Sequence, residues 1–204
     1  NDYEDKQEEV FQPGPPPTAT STTVRNAANA RIFGVEIEAS ALITEQFQVD
    51  AAFGYMNAEY EDFPGLISSS QYVSTPPQPA NTLIAADLSP LRLRRTPEFT
   101  GSLQPTYTQP LPFGTLVLTG SARYTDVQYA EIFNNFRGKI RSNVIVDASV
   151  SLEFGGPEQD SLRLTLFGKN LSDERFFTSF TNSLVDFSTV SPPRTWGLEL
   201  QARF

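Results

Sequence analysis

The sequence contains neither cysteine nor histidine. Without thiols there are no disulfides, zinc-thiolate centres, iron-sulfur ligands or thiol nucleophiles. Without imidazole the commonest general base, the usual catalytic triads and every His-containing metal site are excluded. Enzymes using only carboxylates or lysine remain possible. No apolar run is long enough for a transmembrane helix. Positive charge is scarce, with 15 Lys and Arg against 24 Asp and Glu and a net charge of -9. That balance disfavours a nucleic-acid partner, because phosphate neutralisation needs clustered cations. Asn1 opens without the basic and apolar stretches of a secretory signal, so the reading is a mature chain or a fragment.

What the chain does have is 39% hydrophobic and 12% aromatic residues over 204 positions, arranged with period two. In "RTWGLELQARF", residues 194 to 204, Trp196, Leu198, Leu200, Ala202 and Phe204 share one face, and Thr195, Gly197, Glu199, Gln201 and Arg203 the other. The alternation recurs in "NVIVDASVSLEF", with Val144, Val146, Ala148, Val150, Leu152 and Phe154 on the apolar face, and in "SLRLTLFGKN", with Leu162, Leu164 and Leu166. It recurs again in "TLVLTGSARYT", "FTGSLQPTYT", "FQVDAAFGY" and "FGVEIEASALI". Pro105, inside the fifth of these runs, removes a ladder donor and predicts a bulge or an edge position. "NDYEDKQEEV", residues 1 to 10, is the weakest candidate for a further strand.

Tight links are predicted near residues 44 to 46, 110 to 113 and 155 to 160, and long ones near 11 to 31, 60 to 95, 126 to 142 and 170 to 193. Short and long in alternation describe an antiparallel meander with one plain and one elaborated end. Long loops in compact domains usually serve a function, and here proline stiffens them in "PGPPP", "STPPQP" and "SPP". A soluble sandwich also alternates, but three features favour a barrel in a membrane. The strands reach the 9 to 11 residues needed to cross a bilayer at a tilt. Aromatics collect at strand ends on the apolar face, at Phe33, Phe47, Tyr55, Phe99, Tyr107, Tyr124, Phe154, Trp196 and Phe204, where interfacial girdles lie. The opposite face carries Glu36, Glu38, Asp50, Arg123, Asp147, Arg163, Glu199 and Arg203 in mid-strand, and such a face needs water.

The words "NAANARIFGVEIEA", "FGYMNAEYEDF", "RRTPEFTGSLQPTY", "VDASVSL", "LTLFGKNLSDERFF" and "PPRTWGLELQARF" follow one another over residues 26 to 204. In this order and spacing they closely resemble the C-terminal barrel of TonB-dependent outer-membrane receptors, the last two being the most specific. The resemblance implies an all-β, antiparallel transmembrane β-barrel of about 22 strands, of which residues 1 to 204 supply the last seven or eight. It implies that the plug and the earlier strands are absent from this chain, which is then a fragment. It implies active uptake, without enzyme activity or cofactor, of a scarce nutrient such as an iron-siderophore, cobalamin or a glycan. The implied partners are outer-membrane lipid, the barrel-assembly machinery, a small-molecule or metal-chelate ligand and, through the plug, the TonB energy-transducing complex. The C-terminus is expected in the periplasm and the long loops outside the cell. Trp196, Leu198, Leu200 and Phe204 match a terminal signal that the assembly machinery reads by strand addition; as lipid-facing residues they need no further role.

Arg92, Arg94, Arg95, Arg137, Lys139 and Arg141 flank the predicted external strand ends, where they are candidates for an anionic ligand through charge-assisted bonds. Loop carboxylates and anionic headgroups are the alternatives. Phe176, Phe177 and Phe180 in "FFTSF" are candidates for stacking on a ligand or on another loop. Glu36 with Glu38, and Glu59, Glu61 and Asp62 in "EYEDF", have neither catalytic nor calcium-loop spacing and read as solvated charge. A small autonomous barrel with an anchoring or passive-diffusion role is the alternative to a receptor, since about eight strands can close.

Overall fold

The computed structural model describes residues 1–13, 20–68, 83–134, 138–155, 161–181 and 187–203. Among these residues there are strands and turns and no helix. The strands are β1 (Asp2–Pro13), β2 (Thr20–Thr44), β3 (Phe47–Asp62), β4 (Pro64–Ser68), β5 (Leu83–Asp87), β6 (Phe99–Leu111), β7 (Gly114–Thr125), β8 (Gln128–Tyr129), β9 (Lys139–Ile140), β10 (Asn143–Phe154), β11 (Ser161–Lys169), β12 (Phe177–Thr181), β13 (Phe187–Val190) and β14 (Thr195–Arg203). Eight of them form one sheet in the order β1-β2-β3-β6-β7-β10-β11-β14, with β1 and β14 at its edges. The expected meander of seven or eight strands is therefore present, with "NDYEDKQEEV" as its first member. The remaining strands pair as hairpins β4-β5, β8-β9 and β12-β13 inside the long connections.

Register explains why the sheet has two unlike faces. Val144, Val150 and Leu152 stand opposite Tyr124, Leu118 and Leu116, and Leu162, Leu164 and Leu166 opposite Ala202, Leu200 and Leu198. Because side chains alternate with period two, this pairing puts apolar beside apolar on one face and polar beside polar on the other. On the polar face Ser151 and Thr165 share a 2.9 Å hydrogen bond, and Arg163 meets Glu153 at 2.5 Å. The tight link after β2 is a side-chain turn, in which Thr44 Oγ1 accepts from the amides of Gln46 and Phe47.

Two expectations need correction. The long connection expected over residues 11 to 31 is mostly strand, since β1 runs to Pro13 and β2 begins at Thr20. Among the described side chains of that stretch the buried ones are Ala28 and Ala30, too small to register as an apolar stripe. Pro105 lies neither at an edge nor at a bulge. It pairs with Val49 in unshifted register on the β3 side, while on the β7 side the ladder passes from Leu103 to Thr106 without pairs at the two residues between. The missing donor is accommodated by that local gap.

The chain divides into two compact units. The first comprises Asn1–Gly34, Met56–Thr96 and Tyr129–Lys139, and the second Val35–Tyr55, Pro97–Gln128 and Ile140–Phe204. In the first unit Val10, Ala28, Ala30, Tyr60, Phe63, Ile67, Leu88, Leu93 and Ile132 form a buried apolar cluster. The hairpin β4-β5 and its flanks thus pack over Ala28, Ala30 and Tyr60 within this unit. The other side of the same residues carries an ion-pair chain, Asp2–Arg31 at 3.0 Å and Arg31–Glu61 at 2.8 Å.

Candidate functional site

In the second unit the apolar face has no cover among the described residues. Trp196, Leu198 and Leu200 on β14 keep 66%, 69% and 66% of their surface, and Leu166 and Val150 are exposed in the same way. Fully burying one such side chain contributes about 1.5–3 kcal/mol, so a face of this kind is far from stable in water and suited to hydrocarbon. Rings gather toward its ends: Tyr55 lies 5.3 Å from Phe99 and Phe113 6.1 Å from Phe154, centroid to centroid. On the opposite face several charged side chains have partners. Arg123 stands 3.7 Å from Asp147, and Asp50 accepts from Ser40 at 2.5 Å and from Gln48 at 3.0 Å.

The most specific words of the sequence meet here. Phe167 pairs with Gly197 and Gly168 with Trp196 on neighbouring strands β11 and β14. A Cβ on Gly197 would collide with the Phe167 ring, and one on Gly168 with Trp196 and Leu171. Two aromatic rings therefore occupy the space above two glycines, one on each face of the sheet. Next in sequence, Asn170 is buried at a left-handed φ of 50°, a conformation that asparagine tolerates. Its Nδ2 donates to the carbonyls of Glu174 at 3.0 Å and Pro192 at 2.8 Å, its Oδ1 accepts from the Glu174 amide at 2.9 Å, and its own amide donates to Asp147 at 2.7 Å. Both ends of the long connection from residue 170 to 193 are thereby tied to one side chain. Asp173 extends the knot by accepting from the Arg194 amide at 3.1 Å. That bond, helped by the charges of Arg175 and Arg194 and opposed by desolvation, holds the Asp173 carboxyl below its usual pKa.

The expected ligand residues divide between the units. In the first, Arg94 reaches Glu8 at 3.4 Å and Glu9 at 3.9 Å. Arg92 and Arg95 are exposed, with backbones held by Asn134 and Tyr129. A cleft of about 390 Å³ beside β3 is lined by Asn57, Glu59, Ser89, Arg92 and Thr96 among others. Lys139 is exposed on β9. In the second unit Arg141 is engaged by Glu174 at 3.3 Å and by the Arg175 carbonyl at 2.5 Å. Phe177 is exposed on β12, Phe176 is half-buried and Phe180 is buried. Arg137 and Phe204 lie outside the described residues. Sequence reasoning missed Glu8, Tyr60 and the role of Asn170. Nothing in the local sequence distinguishes Glu8 from the other acids of β1, whereas the word containing Asn170 was specific without its reason being visible.

Comparison with known proteins agrees with the two-faced sheet. Residues 1–171 match the family model described as "TonB dependent receptor-like, beta-barrel". The chain belongs to that family. Membership of the TonB-dependent receptors implies an outer-membrane location. The chain is similar in fold to the siderophore receptor PiuA from Acinetobacter baumannii, at 21% identity and TM-score 0.65 over 98% of this chain and 24% of that one. It is similar also to the ferric yersiniabactin uptake receptor FyuA from Yersinia pestis, at 17% identity and TM-score 0.67 over 89% of this chain and 25% of that one. BauA, the ferric preacinetobactin receptor from Acinetobacter baumannii, aligns with TM-score 0.63 at 15% identity over 96% of this chain and 25% of that chain. The chain thus spans about a quarter of the length of these receptors. No curated protein sequence matches it.

Proposed function

We propose that this chain forms the final strands of a larger barrel that takes up a scarce nutrient across the outer membrane, with a ferric chelate as the cargo class. The observation that carries the reading is the sheet itself, apolar and uncovered on one face and hydrogen-bonded and charged on the other. The ferric-chelate class is supported by the names of the structural neighbours. Transport is driven through a plug by the TonB complex, the long connections lie outside the cell and the C-terminus in the periplasm. Trp196, Leu198, Leu200 and Phe204 serve as the terminal signal for barrel assembly.

Arg92 and Arg95 in the first unit, together with Arg137 and Lys139, contribute positive charge toward an anionic chelate, and Phe177 in the second an aromatic surface with Phe176 beside it. Arg94, Arg141 and Phe180 are engaged or buried and serve to hold these segments. The test is uptake of ⁵⁵Fe supplied in spent medium from iron-starved source cells. Deleting the gene should reduce uptake to background, and so should loss of the TonB complex, with restoration by the intact gene. Undiminished uptake in the deletion strain would contradict the reading.

A further inference from the structure

Glu8 on β1 is completely buried, and its partner Tyr60 belongs to the apolar cluster of the first unit. Tyr60 Oη donates to its Oε1 at 2.7 Å, and Lys6 Nζ engages the same oxygen. The Lys6 ammonium also stands 5.8 Å above the Tyr60 ring centroid. Oε2 accepts no hydrogen bond of good geometry among the described residues, and its ionic partner is Arg94, 3.4 Å away. Arg94 reaches Glu9 as well, at 3.9 Å. A buried carboxylate is a costly choice, because an apolar side chain of similar volume often stabilises a core as well or better. What a charge adds is direction: it fixes where its partner must be.

That partner lies in the segment after β5. Leu93 is buried in the apolar cluster to which Tyr60, the donor to Glu8, also belongs, the Leu91 amide donates to Leu88 at 3.0 Å, and the Arg95 amide donates to Tyr129 at 3.0 Å. Arg95 adopts a left-handed φ of 58°, an uncommon conformation that persists where its surroundings enforce it. With Arg94 turned inward to Glu8, its neighbours Arg92 and Arg95 are left exposed.

We propose that Glu8 is a positioning residue that, through Arg94, holds residues 91 to 96 in one conformation, so that the surface carrying Arg92 and Arg95 is formed before any ligand arrives. The ligand half of this inference rests on the uptake function proposed above. The conformational half stands without it.

The experiment is amide hydrogen exchange on the receptor extracted intact from the outer membrane in detergent, with no ligand added. Glu8→Gln keeps an acceptor for Tyr60 and removes the charge facing Arg94; Arg94→Gln removes the other partner without touching the core. Either change should speed exchange at Leu91 and Arg95 by about tenfold, as local opening becomes easier. The double variant should go little further than the stronger single one, since both remove the same interaction. Exchange in β10, in the other unit, should not change. Unchanged exchange at Leu91 and Arg95 in Arg94→Gln would overturn the proposal, as would equal acceleration in β10 or additive effects in the double variant. In cells, Glu8→Gln should raise the KM for ⁵⁵Fe from spent medium about tenfold, roughly 1.4 kcal/mol, at an unaltered amount of receptor in the outer membrane. Altered exchange with normal uptake would remove only the ligand half.

Discussion

Asn170 shows how one side chain can organise a loop of more than twenty residues. Its amide, its Nδ2 and its Oδ1 are all engaged, and two of the partners are backbone carbonyls brought from Glu174 and Pro192. Replacing it by alanine leaves those groups without their partner and should cost on the order of 1–3 kcal/mol. The loss should be local, read as faster exchange at the Glu174 amide, with β6 and β7 unaffected. Asp173 adds a pH dependence to the same knot. Its folded-state pKa is depressed, so its contribution is present above the ordinary carboxylate value and is lost as pH falls through the folded value. Asp173→Asn should therefore loosen the Arg194 amide at neutral pH. The difference between variant and parent should begin to shrink below about pH 4 and vanish only once pH has fallen past the depressed folded value, as hydrogen exchange across a pH series would record; a difference that grew in acid would contradict the assignment.

At the scale of the strand, the reciprocal placement of Phe167 on Gly197 and Trp196 on Gly168 fixes the register of β11 against β14. A one-residue slip would put ring against ring and reverse both faces. Gly197→Val should overpack the site, at about 1–3 kcal/mol, and lower the denaturation midpoint of the purified barrel; Gly197→Val with Phe167→Ala should recover part of the loss. Strands of this kind were legible in the sequence because both faces repeat over nine residues or more. The first half of β2 was not, since its inner residues are alanines, and the five-residue strands β4, β5 and β12 are too short to show a period. The candidate site was legible in part. Arginines near strand ends stand out in composition, but which of them is engaged, as Arg94 and Arg141 are, depends on carboxylates distant in sequence, Glu8 and Glu174. Hydrogen bonds to remote backbone leave no local mark at all.

For the whole molecule, the unequal faces of the sheet dictate where charge is tolerated. Leu164 faces outward on β11 and its neighbour Thr165 faces the hydrogen-bonded side. Leu164→Arg should cost about 2–4 kcal/mol near the middle of a bilayer and reduce the amount of assembled receptor, while Thr165→Arg should assemble nearly as the parent does. The central claim, that one side of this sheet meets lipid and the other water, is open to a single direct measurement, and these 204 residues contribute no native cysteine to it. Single cysteines placed in turn along β10, from Val146 to Leu152, would be spin-labelled in the reconstituted receptor and exposed to oxygen, which partitions into lipid, and to a water-soluble nickel chelate. The expected result is strict alternation, with Val146, Ala148, Val150 and Leu152 responding to oxygen and Asp147, Ser149 and Ser151 to nickel. Equal response to both reagents along the strand, or alternation of the opposite sign, would contradict the account.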